Sequence, residues 1–537
     1  MKKLSALLLT LGALAILAGV AMPAAAEDGN RDWTMGGRDY GNTRFQDKEK
    51  GIGVDNVGHL ALKWRLATHG DISATPAVAD GAAYVPDWAG YLYKVNARTG
   101  TVIWERKLNA YAGMPADSVS RASPAVDGGT VYLGTQMGAR LLAIDTATGA
   151  LRWARAMDSH PLAILTQSPI VKNGVVYQGV ASLEEGAAAD PGYPCCTFRG
   201  SINAVDAATG RLLWKTYMLP DNGGVPGGYS GGAVWGSTPA FDQSGDQGTL
   251  YITTGNNYTV PQVSQDCQAA GGTMSDCLAP SDHVDSIVAL NPKTGAIKWA
   301  TGVQGFDAWT VACIVGFPPG SGNCPALAGP DFDFGSGPNL FRVKVAGKPT
   351  NLIGAGAKSG VYWALDAATG AIVWSNAAGP GSTLGGIEWG TATDGSRIYL
   401  AEANFNHAPN AVDGGMSPAG SFAALDAATG ATIWEKAVPI RPFPFGLPFN
   451  LGFPLAAPLG PVSVANGVMY GETMDGHHVA LDAATGATLF DFAGAGSAIG
   501  GAAISEGVVY WGNGYGRLIP GLFQPGNELY AFSIEGR

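Results

Sequence analysis

Three polar residues in the longer insertions of this 537-residue chain carry hard oxygen donors. Glu184, Asn256 and Asp307 offer carboxylate and amide oxygens, the ligands that calcium prefers in proteins. A lone Glu or Asn in a loop is more often solvated or capping a turn, so each residue taken alone is weak evidence. Together they define a candidate cation site, provided that the fold brings them to one place.

Aromatic and basic residues elsewhere in the chain could hold a flat anionic molecule. Trp235 lies in the glycine-rich stretch 231–236, where its indole could form a platform for a ring. Ordinary packing inside the fold is the competing interpretation. Arg121 and Lys358 could contact an anionic ligand, although a single Arg or Lys is more often a surface charge.

A repeated phrase supplies the framework that would position these residues. Seven times an Asp or Asn is followed by a short turn containing Gly and then by an aromatic residue eight positions after the Asp or Asn. The seven aromatic residues are Trp104, Trp153, Trp214, Trp299, Trp374, Trp434 and Phe490. Gly supplies the left-handed turn conformation, and Asp and Thr side chains can bond backbone groups in the turn. Each copy therefore predicts a β-hairpin.

The spacing of the copies predicts a β-propeller. Successive aromatic residues lie 40 to 85 positions apart when Trp64 is counted as the first, which is room for four strands plus insertions. Trp64 belongs to an imperfect eighth copy, and residues 529–532 resemble a strand that enters the phrase. We therefore predict an all-β, eight-bladed β-propeller closed by an N-terminal strand, within residues 55–65, that completes the last blade. A solenoid is the alternative, and the split eighth copy disfavours it.

The amino-terminal residues have the three parts of a secretory signal peptide, predicted to span residues 1–26. Lys2 and Lys3 precede an apolar run, and small residues end the segment at Ala26. Val20 stands where a lipid-accepting Cys would follow a Leu-Ala-Gly sequence, and no other stretch approaches the ~18 apolar residues of a membrane span. We expect one propeller domain over residues 27–537, in a periplasmic or secreted protein without a membrane span.

The net charge and the cysteine content limit which partners and cofactors the protein can have. A net charge of −11 without basic clusters argues against nucleic acid. Six cysteines suit an oxidising compartment, and short loops would be closed by pairing Cys267 with Cys277 and Cys313 with Cys324. Cys195 and Cys196 are adjacent, which leaves either a bond between neighbours or free thiols. The sequence contains no Cys-x-x-Cys-His motif, so covalent haem is not expected, and no cysteine pairs with zinc spacing.

Taken in order, these motifs resemble the quinoprotein alcohol dehydrogenases, eight-bladed propellers that bind pyrroloquinoline quinone (PQQ) and calcium on the axis. Residues 165–169 resemble the family's segment that offers a Thr, here Thr166, to the quinone. Glu184, 18 residues further on, falls where the family places its calcium-binding Glu. The stretch ending at Trp235 resembles the stacking floor beneath the cofactor, and residues 254–256 resemble the site of the calcium-binding Asn.

The remaining matches concern the base and the anion contacts. The sequence Asp-Ala-Trp at 307–309 is similar to the family's Asp-x-Trp, which implies Asp307 as the proposed base and a neighbour of the metal. Lys358 resembles the basic residue near the quinone oxygens, and Arg121 lies where the family has an Arg that contacts the cofactor carboxylates. The resemblance also implies a cofactor contact for Trp389, although the pair 388–389 is Glu-Trp where some relatives have Asn-Trp.

The vicinal cysteines depart from the commoner family pattern. In many members they stand just before the Arg that Arg121 matches, whereas here Cys195 and Cys196 precede the sequence Phe-Arg-Gly at 198–200. This placement, with Asp-Phe-Gly at 333–335, looks more like the polyvinyl alcohol dehydrogenase branch. The resemblance implies that Cys195 and Cys196 lie over the cofactor.

The function that the resemblance implies is PQQ- and calcium-dependent oxidation of secondary hydroxyl groups, including those of polyvinyl alcohol, to ketones. A separate cytochrome c would accept the electrons. Calcium is favoured over a lanthanide because Trp309 stands where lanthanide-using relatives carry an extra Asp. The alternatives are a non-enzymatic propeller scaffold of outer-membrane protein assembly and a quinoprotein dehydrogenase for other alcohols or sugars.

Overall fold

Eight antiparallel sheets of four strands, called blades 1 to 8 here, form the fold in a computed structural model. The structure describes residues 31–536 except 246–247, 315–321, 414, 440, 442–455 and 518–522, so the predicted signal peptide lies outside the described residues. This arrangement confirms the all-β, eight-bladed propeller. Within the described ranges, no helix is long and apolar enough to cross a membrane.

The strands of the first four blades follow one another along the chain. Blade 1 contains Ala77–Ala79, Ala82–Pro86, Tyr91–Asn96 and Val102–Lys107. Blade 2 contains Ala125–Asp127, Thr130–Gly134, Arg140–Asp145 and Leu151–Ala156. Blade 3 contains Ile170–Lys172, Val175–Ser182, Ser201–Asp206 and Leu212–Tyr217, with Ala163–Ile164 pairing beside its second strand. Blade 4 contains Ala240–Asp242, Thr249–Thr253, Ser286–Leu290 and Ile297–Gly302.

The last blade differs from the others because it takes one strand from the N-terminal region. Blade 5 contains Asn339–Val345, Lys348–Gly356, Val361–Asp366 and Ile372–Ala377. Blade 6 contains Ala392–Thr393, Arg397–Ala403, Gly420–Asp426 and Thr432–Ala437. Blade 7 contains Ser463–Ala465, Val468–Glu472, His477–Asp482 and Thr488–Ala493. Blade 8 contains Ala503–Ser505, Val508–Gly512 and Glu528–Ile534, completed by Leu60–Ala67.

Short elements decorate the blades. Two-residue and three-residue strands pair as Ser230–Gly231 with Asn257–Thr259 and Ala411–Val412 with Gly415–Met416. The α-helices are Glu184–Ala187, Gln262–Ala269 and Met274–Cys277, and the 3-10 helices are Val57–His59, Leu108–Ala110 and Val311–Cys313. Disulfides join Cys267 to Cys277 and Cys313 to Cys324, as the sequence predicts.

Ring closure joins the two ends of the described chain. Leu60 pairs with Ile534 and Ala67 with Glu528 in an antiparallel ladder. The predicted closure by an N-terminal strand is therefore confirmed. It removes the sheet edge that an open ring would expose.

The repeated aromatic residues join neighbouring blades. The Trp64 indole N–H donates to the carbonyl of Ala97 in the next blade at 3.0 Å, and the Trp153 N–H donates to Ala207 in the same way. Gly100, in the turn against Trp64, has φ +74°, and an added Cβ would lie 2.8 Å from the indole. Gly is therefore required both for the left-handed conformation and for the close approach of the next tryptophan.

An N-terminal segment, residues 33–46, bonds the first strand of every blade. Its backbone or side chains contact these strands through the following partners, in blade order: Val78, Val126, Val171, Phe241, Leu340, Thr393, Val464 and Ile504. Phe45–Gln46 also pairs in parallel with residues 464–465. Because one segment bonds the first strand of all eight blades, it ties the ring together.

Replacing Asn42 of this segment by alanine should lower the free energy of unfolding by about 3 kcal/mol. The buried Asn42 amide donates to the carbonyls of Thr238 and Pro338, so alanine leaves both carbonyls unpaired. Its φ of +52° also suits Asn better than Ala. Urea denaturation measures the change. Asn109→Ala is the control, because it removes only a surface hydrogen bond to Ala116, and a loss as large as that of Asn42→Ala would contradict the interpretation.

Candidate functional site

A cavity of about 240 Å³ lies on the propeller axis. Residues directly before the first strands of five blades line it: Arg121, Thr166, Trp235, Trp389 and Leu459. Several of them also line a smaller cavity of about 50 Å³, which reaches Arg44 of the N-terminal segment. The segment, the smaller cavity and the larger cavity therefore follow one another along the channel.

Two tryptophans form an aromatic corner in the larger cavity. The ring centroids of Trp235 and Trp389 lie 5.3 Å apart with the planes at 85°. The Arg121 guanidinium lies 4.7 Å from the Trp389 ring centre and donates to the hydroxyl of Tyr515. Such a corner presents both an aromatic face and a cation to a flat anionic ligand.

Lys358 is held at the cavity wall by two carboxylates. Its ammonium lies 3.0 Å from Asp331 Oδ2, 2.8 Å from Asp333 Oδ1 and 5.3 Å from the Trp235 ring centre. Burial opposes the charge of Lys358, but the two carboxylates outweigh burial and raise its pKa well above the usual value. Asp333 also accepts the indole N–H of Trp235 at 2.7 Å, so one network fixes the ammonium and the indole together.

Replacing Lys358 by methionine should lower the free energy of unfolding by about 3–5 kcal/mol, because it leaves two buried carboxylates without their cation. Urea denaturation at neutral pH measures the loss. Lys348→Met, at an exposed lysine of the same blade, is the control and should change stability by less than about 0.5 kcal/mol. Equal stabilities of the two variants would show that the Lys358 network contributes nothing to the fold.

Glu185 and Asn256 meet inside the cavity. The Asn256 amide N–H groups donate to the backbone carbonyls of Asn257 and Trp309, both at 3.1 Å, which leaves the amide oxygen as an acceptor. Burial raises the pKa of Glu185 to about 7, against the lowering effects of Lys358 and Asn256. Glu185 Oε1 is buried without a hydrogen-bond partner. The cavity thus contains an unpartnered buried carboxylate oxygen of Glu185 and a free acceptor on Asn256, both hard donors that suit a cation site.

The neighbouring Glu184 does not line this cavity. Its carboxylate accepts the backbone N–H groups of Thr197 at 2.8 Å and Phe198 at 2.7 Å, and the hydroxyl of Tyr193 at 3.0 Å. Burial opposes ionisation, but the hydrogen bonds from His160, Phe198 and Thr197 outweigh it and lower the pKa of Glu184. Both glutamates lie in the first turn of helix Glu184–Ala187, where consecutive side chains point about 100° apart. The structure therefore brings Glu185, and not Glu184, to Asn256.

Asp307 lies behind the cavity wall, 2% exposed. Its carboxylate accepts the backbone N–H groups of Asp331 at 3.0 Å and Phe332 at 2.7 Å. Burial raises its pKa to about 6 in spite of these two hydrogen bonds. Trp309, two residues further on, lines the cavity. Each Asp307 oxygen keeps capacity for a further hydrogen bond, because a carboxylate has about four acceptor positions.

The vicinal cysteines form a disulfide outside this cavity. Cys195 is bonded to Cys196, which settles the open choice between a bond and free thiols. Cys196 packs in the hydrophobic core with Phe198, and neither cysteine is among the residues that line the cavity. The pair instead lies in the loop whose next residues, Thr197 and Phe198, hold Glu184.

Two polyvinyl alcohol dehydrogenases are similar to nearly the whole chain. The protein from Sphingopyxis sp. (strain 113P3) is 30% identical, covering 94% of this chain and 77% of its own length. The chain belongs to the PQQ-dependent quinoprotein alcohol dehydrogenase family. A second polyvinyl alcohol dehydrogenase of this family, from Pseudomonas sp., is 28% identical with the same coverage. The resemblance found in the sequence is thus confirmed, and PQQ-dependent alcohol oxidation is the activity of this protein at the level of the family.

A solved structure of another quinoprotein has the same fold as this protein. The quinohemoprotein alcohol dehydrogenase from Comamonas testosteroni superposes with a TM-score of 0.68 at 23% identity, covering 96% of this chain and 82% of that protein. At this identity the likeness concerns the fold alone.

A family model matches the two ends of this quinoprotein's propeller but not its middle segment. The model, described as outer membrane protein assembly factor BamB, matches residues 61–186 and 357–520. The unmatched middle contains these site residues: Trp235, Asn256, Asp307, Asp331 and Asp333. Since the dehydrogenase relatives are similar over 94% of the chain, the middle segment favours the enzyme over the scaffold.

Sequence reasoning overlooked three acidic residues of the quinoprotein site. Asp331 and Asp333 hold Lys358, but only the sequence Asp-Phe-Gly at 333–335 was noted, as a marker of the branch. Glu185 was passed over beside Glu184. The signal available was the sequence Asp-Phe-Asp at 331–333, two carboxylates one residue apart in a chain with only 14% charged residues.

Proposed function

We propose that this protein uses PQQ and calcium to oxidise secondary hydroxyl groups, including those of polyvinyl alcohol, to ketones. The observation that carries the proposal is the axial cavity that combines the Trp235–Trp389 corner, the cations Arg121 and Lys358, and the Glu185–Asn256 pair. A flat anionic quinone bound together with a hard cation would use the aromatic platform, the anion contacts and the hard oxygen ligands at once.

The unpartnered polar atoms of the cavity fit a quinone with several oxygen atoms. Thr166 Oγ1 and Trp389 Nε1 are buried without hydrogen-bond partners, so a bound ligand would satisfy both. Arg121 would contact a carboxylate of PQQ, and Lys358 would lie near the quinone oxygens. Trp235 would form the platform. The cysteines 195 and 196 are not part of this proposal because their disulfide lies outside the cavity.

The oxygen donors of the protein fit a cation that is coordinated partly by the protein and partly by the cofactor. Within the described ranges, no three His, Cys, Asp or Glu side chains are grouped as a complete metal site. Calcium takes six to eight oxygen ligands, so Glu185 and Asn256 would need PQQ, and a contribution from Asp307, to complete the shell. We propose Glu185 in place of Glu184 as the carboxylate ligand. Position 309, where lanthanide-using relatives would carry an extra Asp, is occupied by Trp309 in the cavity wall, which favours calcium.

Bound PQQ and calcium would supply the hydride acceptor and the Lewis acid. The protein's own task is to remove the hydroxyl proton of the alcohol, and we propose Asp307 as the base. Because burial raises the pKa of Asp307 only to about 6, its carboxylate is ionised at neutral pH. The backbone N–H groups of residues 331 and 332 keep the carboxylate in one orientation.

The remaining wall of the cavity favours an aliphatic substrate. Its apolar lining residues are Ile164, Leu183, Val311, Leu384, Phe405 and Phe523. Leu183 and Leu384 are also 37% and 40% exposed, so apolar surface continues to the rim. A hydrocarbon chain that carries secondary hydroxyl groups matches this surface, and a polar sugar matches it less well.

We further propose a cytochrome c as the electron acceptor, in the periplasm or outside the cell. The two polyvinyl alcohol dehydrogenase relatives support the substrate. A Comamonas testosteroni quinohemoprotein alcohol dehydrogenase, 28% identical over 70% of this chain, has a name that joins quinone with haem and supports a haem protein as the acceptor.

Dye-coupled turnover after reconstitution tests the proposal. The purified protein is loaded with PQQ and calcium and assayed with polyvinyl alcohol, small secondary alcohols, primary alcohols and a sugar. Turnover that requires PQQ and is fastest on secondary alcohols or the polymer is expected. Preference for a sugar or a primary alcohol would contradict the substrate class, and a folded protein that neither binds PQQ nor turns over would favour the scaffold.

A further inference from the structure

Glu388 is a buried carboxyl group in the cavity wall that none of the assigned roles uses. It is 5% exposed, lines the cavity beside Trp389, and its Oε2 is buried without a hydrogen-bond partner. The backbone of Gly335 covers it closely, since a Cβ at Gly335 would lie 3.0 Å from the Glu388 carboxyl carbon. A buried polar atom on a cavity wall without a partner indicates a ligand that would bond it.

The charges that face Glu388 do not form an ion pair with it. Lys358 and Arg121 lower its pKa, whereas Asp333 and Glu185 raise it, and the Tyr515 hydroxyl also faces it. Lys358 is already paired with Asp331 and Asp333. Burial is the largest effect and raises the pKa of Glu388 to about 8, so the carboxyl group is neutral at pH 7. A neutral carboxyl group has one O–H to donate.

We propose that Glu388 binds the cofactor as a neutral acid, donating its O–H to an anionic oxygen of PQQ. The inference rests on the proposed function. An ionised Glu388 would instead repel the cofactor carboxylates. PQQ therefore binds tightly at pH values below the pKa of Glu388. Above that pKa the affinity for PQQ falls by about tenfold for each pH unit.

Equilibrium titration of PQQ, followed by quenching of tryptophan fluorescence at saturating calcium, tests the inference without any assay of turnover. Between about pH 6.5 and about pH 9.5 the dissociation constant of the unmodified protein should rise at least about tenfold. Glu388→Gln keeps an N–H donor and cannot ionise, so its dissociation constant should stay within about threefold over this range. Glu388→Ala should bind about tenfold more weakly at the lower pH.

Glu402→Gln is the matched control. Glu402 is also a fully buried glutamate whose pKa burial raises to about 8, but it bonds the backbone N–H of Gly381 and does not line the cavity. Its variant should keep the pH dependence of the unmodified protein. Circular dichroism at each pH confirms that the variants are folded.

The possible results distinguish a failure of the role of Glu388 from a failure of the proposed PQQ-dependent function. A Glu388→Gln variant with the same pH dependence as the unmodified protein, or a Glu388→Ala variant with unchanged affinity, would overturn the role of Glu388 while PQQ binding itself stands. Absence of PQQ binding by the folded, unmodified protein at every pH would overturn the proposed function and this inference together.

Discussion

Glu185→Gln is expected to weaken calcium-dependent binding of PQQ by about a hundredfold or more and to remove turnover. The change deletes the charge of the carboxylate that lies beside Asn256 in the cavity. Calcium affinity depends strongly on the number of charged ligands, and among the described residues no group of three or more His, Cys, Asp or Glu side chains could hold the ion without Glu185. Isothermal titration with calcium in the presence of PQQ measures the loss.

Glu184→Gln is the matched comparison, because it makes the same chemical change one residue away. Glu184 accepts the N–H groups of Thr197 and Phe198, and a glutamine would set an N–H₂ group against one of them. We expect about 2–3 kcal/mol less stability against urea, with calcium and PQQ bound normally by the folded molecules. Loss of calcium binding in Glu184→Gln but not in Glu185→Gln would restore Glu184 as the metal ligand.

Asp307→Asn is expected to reduce kcat about a thousandfold while PQQ remains bound. Asparagine keeps the size of the side chain but has one oxygen for two backbone N–H groups, since those of residues 331 and 332 bond different oxygens of Asp307. It also cannot accept the proton of the alcohol, and urea denaturation separates any loss of stability from the loss of kcat. Single-turnover reduction of bound PQQ, followed by absorbance, measures the chemical step directly.

Asp331→Asn tests the competing base. Asp331 lines the cavity but is bonded to Lys358 through both oxygens, at 3.1 and 3.0 Å. Asp333 would still hold Lys358 in this variant, so we expect a loss of about tenfold or less. A greater loss for Asp331→Asn than for Asp307→Asn would show that Asp331 accepts the proton.

The propeller could be predicted because the sequence encodes it again in every blade. Each Asp-to-Trp phrase contains the turn, its left-handed Gly and the tryptophan that bonds the next blade, as Trp64 and Gly100 illustrate. Strand Leu60–Ala67 could be placed in blade 8 because the phrase is split between the two ends of the chain.

The N-terminal segment could not be predicted in the same way. Residues 33–46 bond the eight inner strands largely through backbone carbonyls, as in the contacts of Val126 with Thr34 and Phe241 with Tyr40. Backbone contacts leave no periodic pattern of side chains, so nothing in the sequence marks the segment.

The sequence predicts most residues of the candidate site, but it does not show which of two adjacent glutamates faces the cavity. Trp235, Thr166, Arg121, Lys358, Asn256 and Trp389 all line the cavity. The choice between Glu184 and Glu185 depends on a single helical turn and on donors 13 and 14 residues further along, which local sequence does not reveal. Tertiary contacts therefore decide which of two adjacent carboxylates faces the ligand.

A crystal structure of the protein soaked with PQQ and calcium tests the central claim most directly. The account predicts PQQ in the axial cavity against Trp235, with a calcium ion about 2.3–2.6 Å from a Glu185 carboxylate oxygen and the Asn256 amide oxygen. Calcium bound to Glu184, or PQQ bound outside the cavity formed by Arg121, Trp235 and Lys358, would contradict it.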